Sequence, residues 1–192
     1  MMRMVLLLGA VVLAGCGREV HTYRIAPYLE PGSTCIECVV SMTMRATQEH
    51  DGDELYIENF DPQQFKAVGF SFQWGVEQRV EIETERYPTF MQDDRGVNFI
   101  FRRVLETRPV ESGTRFTMRF DEWPPGTYSE DLLVRDGDGF LLQGAKRVEC
   151  ATVELCEQLA ARRPGEEAFA LELEFPQTEG APLRLQAVRD LP

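Results

Sequence analysis

Cysteines are the residues of this chain whose type and spacing could do chemistry. Cys35 and Cys38 form a Cys-x-x-Cys motif, which in proteins carries out thiol redox chemistry or helps to hold a metal. A redox pair needs the start of a helix, where the dipole lowers the thiol pKa, whereas residues 39–43 include three β-branched side chains that indicate a strand. Together with Cys150 and Cys156 the motif could bind zinc, but the gap of five residues between the second two is unusual for such a site. A structural disulfide is therefore favoured over redox or metal chemistry.

Acidic and histidine residues offer weaker candidates. Asp136-Gly137-Asp138-Gly139 resembles the opening of a calcium loop, but its twelfth position is Arg147, where such a loop needs a bidentate glutamate. A hairpin turn explains the same residues. His21 and His50 are the only histidines, and neither is placed to activate a nucleophile. The sequence therefore predicts no catalytic residue, no metal site and no cofactor.

The first residues have the layout of an export signal. Arg3 precedes an apolar run over residues 4–14, which is shorter than the roughly 20 residues that span a bilayer. Leu13, Ala14, Gly15 and Cys16 resemble the lipobox of bacterial lipoproteins. That resemblance implies cleavage before Cys16, lipid attachment to its thiol, and a membrane anchor without a transmembrane helix. It also implies that Gly17, in place of the aspartate that retains lipoproteins in the inner membrane, favours the outer membrane.

Lipid on Cys16 would leave an even number of cysteines in an oxidising compartment. Two disulfides among Cys35, Cys38, Cys150 and Cys156 are then expected, and three pairings are possible. Local pairing, Cys35 with Cys38 and Cys150 with Cys156, is favoured because each pair is close in the chain and beside a turn-like segment. Crossed pairings would instead join the two ends of the domain.

The charge of the chain limits its partners. Arg3 is the only charged residue before Cys16, so cleavage would change the formal charge from −12 to −13. Such a protein repels nucleic acid and anionic lipid headgroups. We therefore expect no nucleic acid partner.

Alternating apolar and polar residues dominate the rest of the chain and predict strands. The clearest segments are residues 40–45, 68–74, 79–83, 97–102 and 115–120. Phe99, Phe101, Phe116 and Phe120 are expected to be buried, and Arg115 and Arg119 to face solvent, opposite the acidic row of Glu81 and Glu83. Turn signals separate the segments at short intervals, which predicts an all-β fold, an antiparallel sandwich or barrel.

Residues 110–142 also resemble the later strands of immunoglobulin-like domains, through Pro125-Gly126-Thr127-Tyr128, Leu132-Leu133-Val134 and the following Asp-Gly turn. The resemblance implies an antiparallel immunoglobulin-like β-sandwich in which Tyr128 anchors the preceding turn. It implies no activity.

These observations divide the chain into a signal peptide over 1–15, a tether over 16–34 and a β-sandwich domain over 35–192. The domain includes a helix over 152–163, capped by Thr152, and two C-terminal strands. The predicted function is a non-enzymatic, membrane-anchored binding or structural lipoprotein of the cell envelope with an unidentified envelope protein partner. A thiol redox or metal-carrying lipoprotein that uses Cys35 and Cys38 is the alternative. Trp74 and Trp123 could line a ligand groove, although packing is the favoured interpretation.

Overall fold

Residues that alternate between a buried and an exposed face build this protein almost entirely from strands. The computed structural model describes residues 18–33, 39–49, 57–62, 65, 69–86, 97–124, 127–178 and 180–192. Within them lie eleven strands and helix α1. The strands are β1 (Arg18–Gly32), β2 (Ser41–Gln48), β3 (Ile57–Phe60), β4 (Val76–Arg86), β5 (Val97–Pro109), β6 (Arg115–Phe120), β7 (Leu133–Asp136), β8 (Gly139–Leu142), β9 (Lys146–Cys150), β10 (Phe169–Glu174) and β11 (Leu183–Asp190), and α1 is Val153–Ala160.

The strands form two sheets. The five-stranded sheet has the order β3-β2-β1-β4-β5 and is antiparallel throughout. The six-stranded sheet has the order β6-β10-β11-β9-β8-β7 and contains one parallel pair, β9 with β11. A parallel pair needs a crossover connection, which α1 and β10 supply here. The protein thus has the predicted all-β, sandwich-like fold, with the short helix α1 between β9 and β10.

Two buried clusters fill the interior. The main core lies between the sheets and includes Phe116, Phe120, Phe169 and Leu171 from the six-stranded sheet, with Met42 from β2. The minor core covers one end of the five-stranded sheet, and its members are Tyr23, Ile25, Met44, Ala46, Phe60, Phe65, Phe70, Val80 and Ile82. β1 and β2 therefore contribute to both cores.

The position of β1 contradicts the predicted tether. Arg18–Gly32 is the central strand of its sheet, with β2 on one side and β4 on the other, and Tyr23 and Ile25 are only 2% and 1% exposed. The prolines that suggested a tether are accommodated because Pro27 lies where the register shifts between Ile25 and Leu29, and a bulge tolerates proline. The tether prediction is wrong over residues 18–32, while residues 16, 17 and 34 lie outside the described part of the chain.

The segment at 68–74 also differs from its prediction. Its described residues form turns and irregular chain, although their alternation resembles that of a strand. Phe70 is buried in the minor core and Trp74 packs against the main core. The alternation therefore reflects two different packing sites and not one face of a sheet.

Helix α1 follows β9 at the expected place. The Thr152 hydroxyl accepts a hydrogen bond from the Leu155 amide at 3.3 Å, which confirms the predicted cap. The helix ends at Ala160 and not at residue 163, and it buries Cys156 and Leu159 while leaving Val153 exposed.

Candidate ligand-binding cleft

A cleft opens where the beginning of β4 and the end of β5 meet the six-stranded sheet. Gly75, with a φ of +79°, makes the turn into β4 in the left-handed region that favours glycine. Its amide donates to the Pro27 carbonyl at 2.7 Å, and its carbonyl accepts from the Val110 amide at 2.9 Å. On the opposite wall, the Phe175 amide donates to the Thr114 carbonyl at 3.0 Å. Backbone hydrogen bonds therefore fix both walls of the cleft.

The cleft has a volume of about 350 Å³, at the lower end of the range for small-molecule sites. Its apolar lining comes from Trp74, Pro109, Val110, Phe175 and Pro176, and polar groups come from residues including Gln73, Thr107, Ser112, Gln177 and Thr178. Such a mixture suits a ligand with an apolar body and a polar end.

Aromatic packing holds the apolar wall in place. Phe175 is buried and stacks on Phe116 with ring centroids 4.6 Å apart. Trp74 is half-buried and meets Phe72 edge-on, at a centroid distance of 5.7 Å and an interplanar angle of 82°. Trp74 lines the cleft and also packs against the main core, which confirms the packing that was the favoured interpretation of this residue.

Lys146 places a positive charge in the lining of the cleft. It begins β9, is half-buried, and its Nζ donates to the Ala181 carbonyl at 2.8 Å. Burial lowers the pKa of its ammonium group. Within the described residues no carboxylate lies within 4.0 Å of this nitrogen, so a neutral carbonyl is its partner there.

Many charges elsewhere are paired with each other, as on the outer face of the five-stranded sheet. Arg103 binds Glu81 through two hydrogen bonds, of 2.7 and 3.0 Å, and the hydrogen bonds lower the pKa of Glu81. Glu83, expected on a solvent face, is buried and binds Arg102 at 2.8 Å from Nε, with Arg18 Nη1 at 3.7 Å. These arginines and the neighbouring acids form a series of ion pairs across the strands of this sheet.

Arg115 and Arg119 face solvent as predicted, but not opposite Glu81 and Glu83. They lie on β6, in the other sheet, where Arg115 binds Glu172 at 3.1 Å. The expected partnership is wrong because the acids and these arginines belong to different sheets. Sequence alternation gives the face of a strand but not its sheet.

Of the five cysteines with a predicted role, Cys150 and Cys156 lie in the described part of the chain and the other three do not. Cys150 and Cys156 form a disulfide, with a Cα–Cα distance of 5.5 Å, which confirms their local pairing. A zinc site built from four thiols is excluded because these two are bonded to each other. Cys16, Cys35 and Cys38 lie outside the described residues.

The Asp136–Gly139 motif is a hairpin turn. Asp136 pairs with Gly139 between β7 and β8, and Gly137 has a φ of +61°. Arg147, at the position where a calcium loop needs an acid, binds Asp136 at 2.7 Å and Asp138 at 2.6 Å. Within the described part of the chain, no three histidine, cysteine or acidic residues are grouped as a metal would need.

Tyr128 anchors the preceding turn, as the resemblance to immunoglobulin-like domains implies. Its hydroxyl donates to the Asp121 carbonyl at 3.0 Å. Burial, reinforced by the charge of Asp121, raises the pKa of Tyr128 to about 12. The ring packs against Gly165, where an added Cβ would lie 2.8 Å from Tyr128 Cδ2.

The phenylalanines on β5 and β6 differ in burial. Phe116 and Phe120 are buried as predicted, whereas Phe99 and Phe101 are partly buried against the minor core. Phe99 and Phe101 lie on β5, an edge strand with only β4 beside it, so less of each ring is covered.

Comparison of the chain with protein families, with curated proteins and with solved structures finds no match. No helix among the described residues is long and apolar enough to cross a membrane. The cleft therefore has to be interpreted from its own residues.

Sequence reasoning missed Lys146, and the one signal for it was rarity, since Lys66 and Lys146 are the only lysines among 20 basic residues.

Proposed function

We propose that this protein is a lipid-anchored, non-enzymatic binding module of the bacterial cell envelope, with the outer membrane as its favoured location. The cleft is the observation that supports binding. It combines an aromatic wall with the half-buried cation of Lys146 and with hydroxyl and amide groups in its lining. These groups suit recognition by packing and charge.

The lipid anchor on Cys16 is supported by the resemblance of Leu13-Ala14-Gly15-Cys16 to a lipobox. β1 begins at Arg18, so only Gly17 separates the anchored residue from the folded domain. Two residues of extended chain span about 7 Å at most. On this proposal the domain lies directly on the membrane surface and does not reach away from it on a tether.

Replacing Cys16 with serine tests the anchor. Because the lipid is attached through the Cys16 thiol, Cys16→Ser should abolish incorporation of labelled palmitate and release the protein from membranes or leave it unprocessed. Cys35→Ser, which also removes one thiol, serves as the matched control and should remain lipidated. Palmitate incorporation into Cys16→Ser at the wild-type level would refute the anchor.

Chemical cross-linking of intact envelopes, followed by purification, tests for the envelope protein partner. Wild-type protein should capture the same partner repeatedly, and that capture should weaken in Cys16→Ser, because the released protein no longer sits at the membrane. Reactive thiols that interconvert reversibly with a disulfide at Cys35 and Cys38 would instead favour the redox alternative. A thiol titration after the native protein is held in a mildly reducing thiol buffer separates the two, because a redox pair is then reduced to free thiols whereas a structural disulfide stays oxidised.

A further inference from the structure

We propose that the cleft binds a small organic monocarboxylate, whose carboxylate pairs with the ammonium group of Lys146 and whose apolar body packs against Trp74. The inference rests on the proposed binding function and assigns it a ligand class. Charge, size and lining each support the assignment.

The charge argument starts from the excess of acids over bases in this chain. Arg103 and Arg115 show the usual arrangement, in which a carboxylate lies within about 3 Å of the cation. Lys146 instead donates to a backbone carbonyl, and no carboxylate of the described residues is within 4.0 Å. The ammonium group of Lys146 is partly desolvated. An anionic ligand would form an ion pair with it, and the low local dielectric would strengthen the attraction between the two charges.

Size restricts that anion to a small molecule. A volume of about 350 Å³ is too small for a folded partner and fits a ligand of one ring and a short chain. Lysine is a compact point charge without the fork of arginine, so one carboxylate satisfies it. The ligand therefore carries a single negative charge at one end.

The lining determines the other end of the ligand. Trp74, Pro109 and Phe175 offer flat apolar surfaces on rigid backbone, and Trp74 keeps part of its ring exposed to the cleft. An aromatic ring would pack against them in an offset or edge-on geometry. An aryl-alkyl carboxylic acid combines both ends.

The test compares 4-phenylbutanoate with its neutral amide, 4-phenylbutanamide, which has the same apolar body. Binding to the full-length protein in detergent is followed by tryptophan fluorescence, with empty micelles as the blank and Trp123→Phe as the background, so that Trp74 reports alone. The acid should cause a saturable change and bind at least tenfold more tightly than the amide. Equal affinities, or no saturable change with either probe, would overturn the proposal.

Lys146→Met should lower the affinity for the acid at least tenfold and leave the weaker amide binding unchanged. Arg184→Met removes the same charge from an exposed position on β11 and serves as the control. Trp74→Leu should lower the affinity for both the acid and the amide, as measured by calorimetry. Circular dichroism establishes that each variant is folded.

The pH profile gives a readout that does not depend on a variant. Burial lowers the pKa of Lys146, so its ammonium group loses its proton at a lower pH than an ordinary lysine does. Affinity for the acid should fall as the pH rises through the pKa of Lys146, which lies below that of an ordinary lysine, while affinity for the amide stays constant. A pH-independent preference for the acid, or unchanged acid binding in Lys146→Met, contradicts the assigned contact. Lipid labelling of Cys16→Ser and envelope cross-linking test the proposed function separately.

Discussion

Gln143 joins the two sheets through a single side-chain hydrogen bond, and its removal gives a sharp test of the packing. Its Oε1 accepts from the backbone amide of Met42 at 2.8 Å, and Met42 is 1% exposed. Gln143→Ala would leave that buried amide unpaired, at a cost of about 1–3 kcal/mol in the free energy of unfolding. The variant would also keep the left-handed backbone at this position, where φ is +46°.

Two further substitutions separate the lost hydrogen bond from the backbone strain. Gln143→Gly removes the same bond but relieves the left-handed conformation, which costs a non-glycine residue about 1–2 kcal/mol. It should therefore be about 1 kcal/mol more stable than Gln143→Ala. Gln143→Glu keeps an acceptor oxygen and should stay closer to the wild type than either.

Urea unfolding monitored by circular dichroism measures these differences. Gln158→Ala, on the exposed face of α1, is the control and should change stability by less than about 0.5 kcal/mol. If Gln143→Ala is as stable as this control, the hydrogen bond to Met42 does not hold the sheets together and the reasoning fails.

Two other predictions concern the main core and the disulfide. Phe120→Ala should cost about 3–5 kcal/mol in the free energy of unfolding, since Phe120 is fully buried and its ring centroid lies 4.7 Å from that of Phe169. Arg119→Ala, at an exposed position, should cost well under about 1 kcal/mol, and equal losses in urea unfolding would contradict the assigned faces. Replacing Cys150 and Cys156 together with serine should cost about 2.4 kcal/mol in the chain-entropy model, because the bond closes a short loop with a sequence separation of 6; a loss near 5 would indicate that the bridge constrains far more of the chain.

Local patterns in the sequence determined much of the secondary structure. The alternation at residues 115–120 gives β6, with Phe116, Met118 and Phe120 buried and the arginines between them exposed. Thr152 gives the start of α1, and the Asp-Gly repeat at 136–139 gives a hairpin. Each of these depends on groups a few residues apart, so the information lies within the segment itself.

Features that join distant segments were decided only by the tertiary structure. Arg18–Gly32 contains prolines typical of a tether, yet pairing with β2 and β4 makes it a central strand. Glu83 and Glu81 of β4 pair with Arg102 and Arg103 of β5 and not with the arginines of β6, because strand order sets which charges meet.

The cleft depends on the same long-range geometry. Trp74 and Lys146 are 72 positions apart in the chain, and no local pattern links them. They share a site because the turn into β4 and the start of β9 meet at one end of the sandwich. Sequence alternation fixes which face of a strand is buried, whereas register and sheet order, set by the summed packing of the whole domain, decide which side chains face one another.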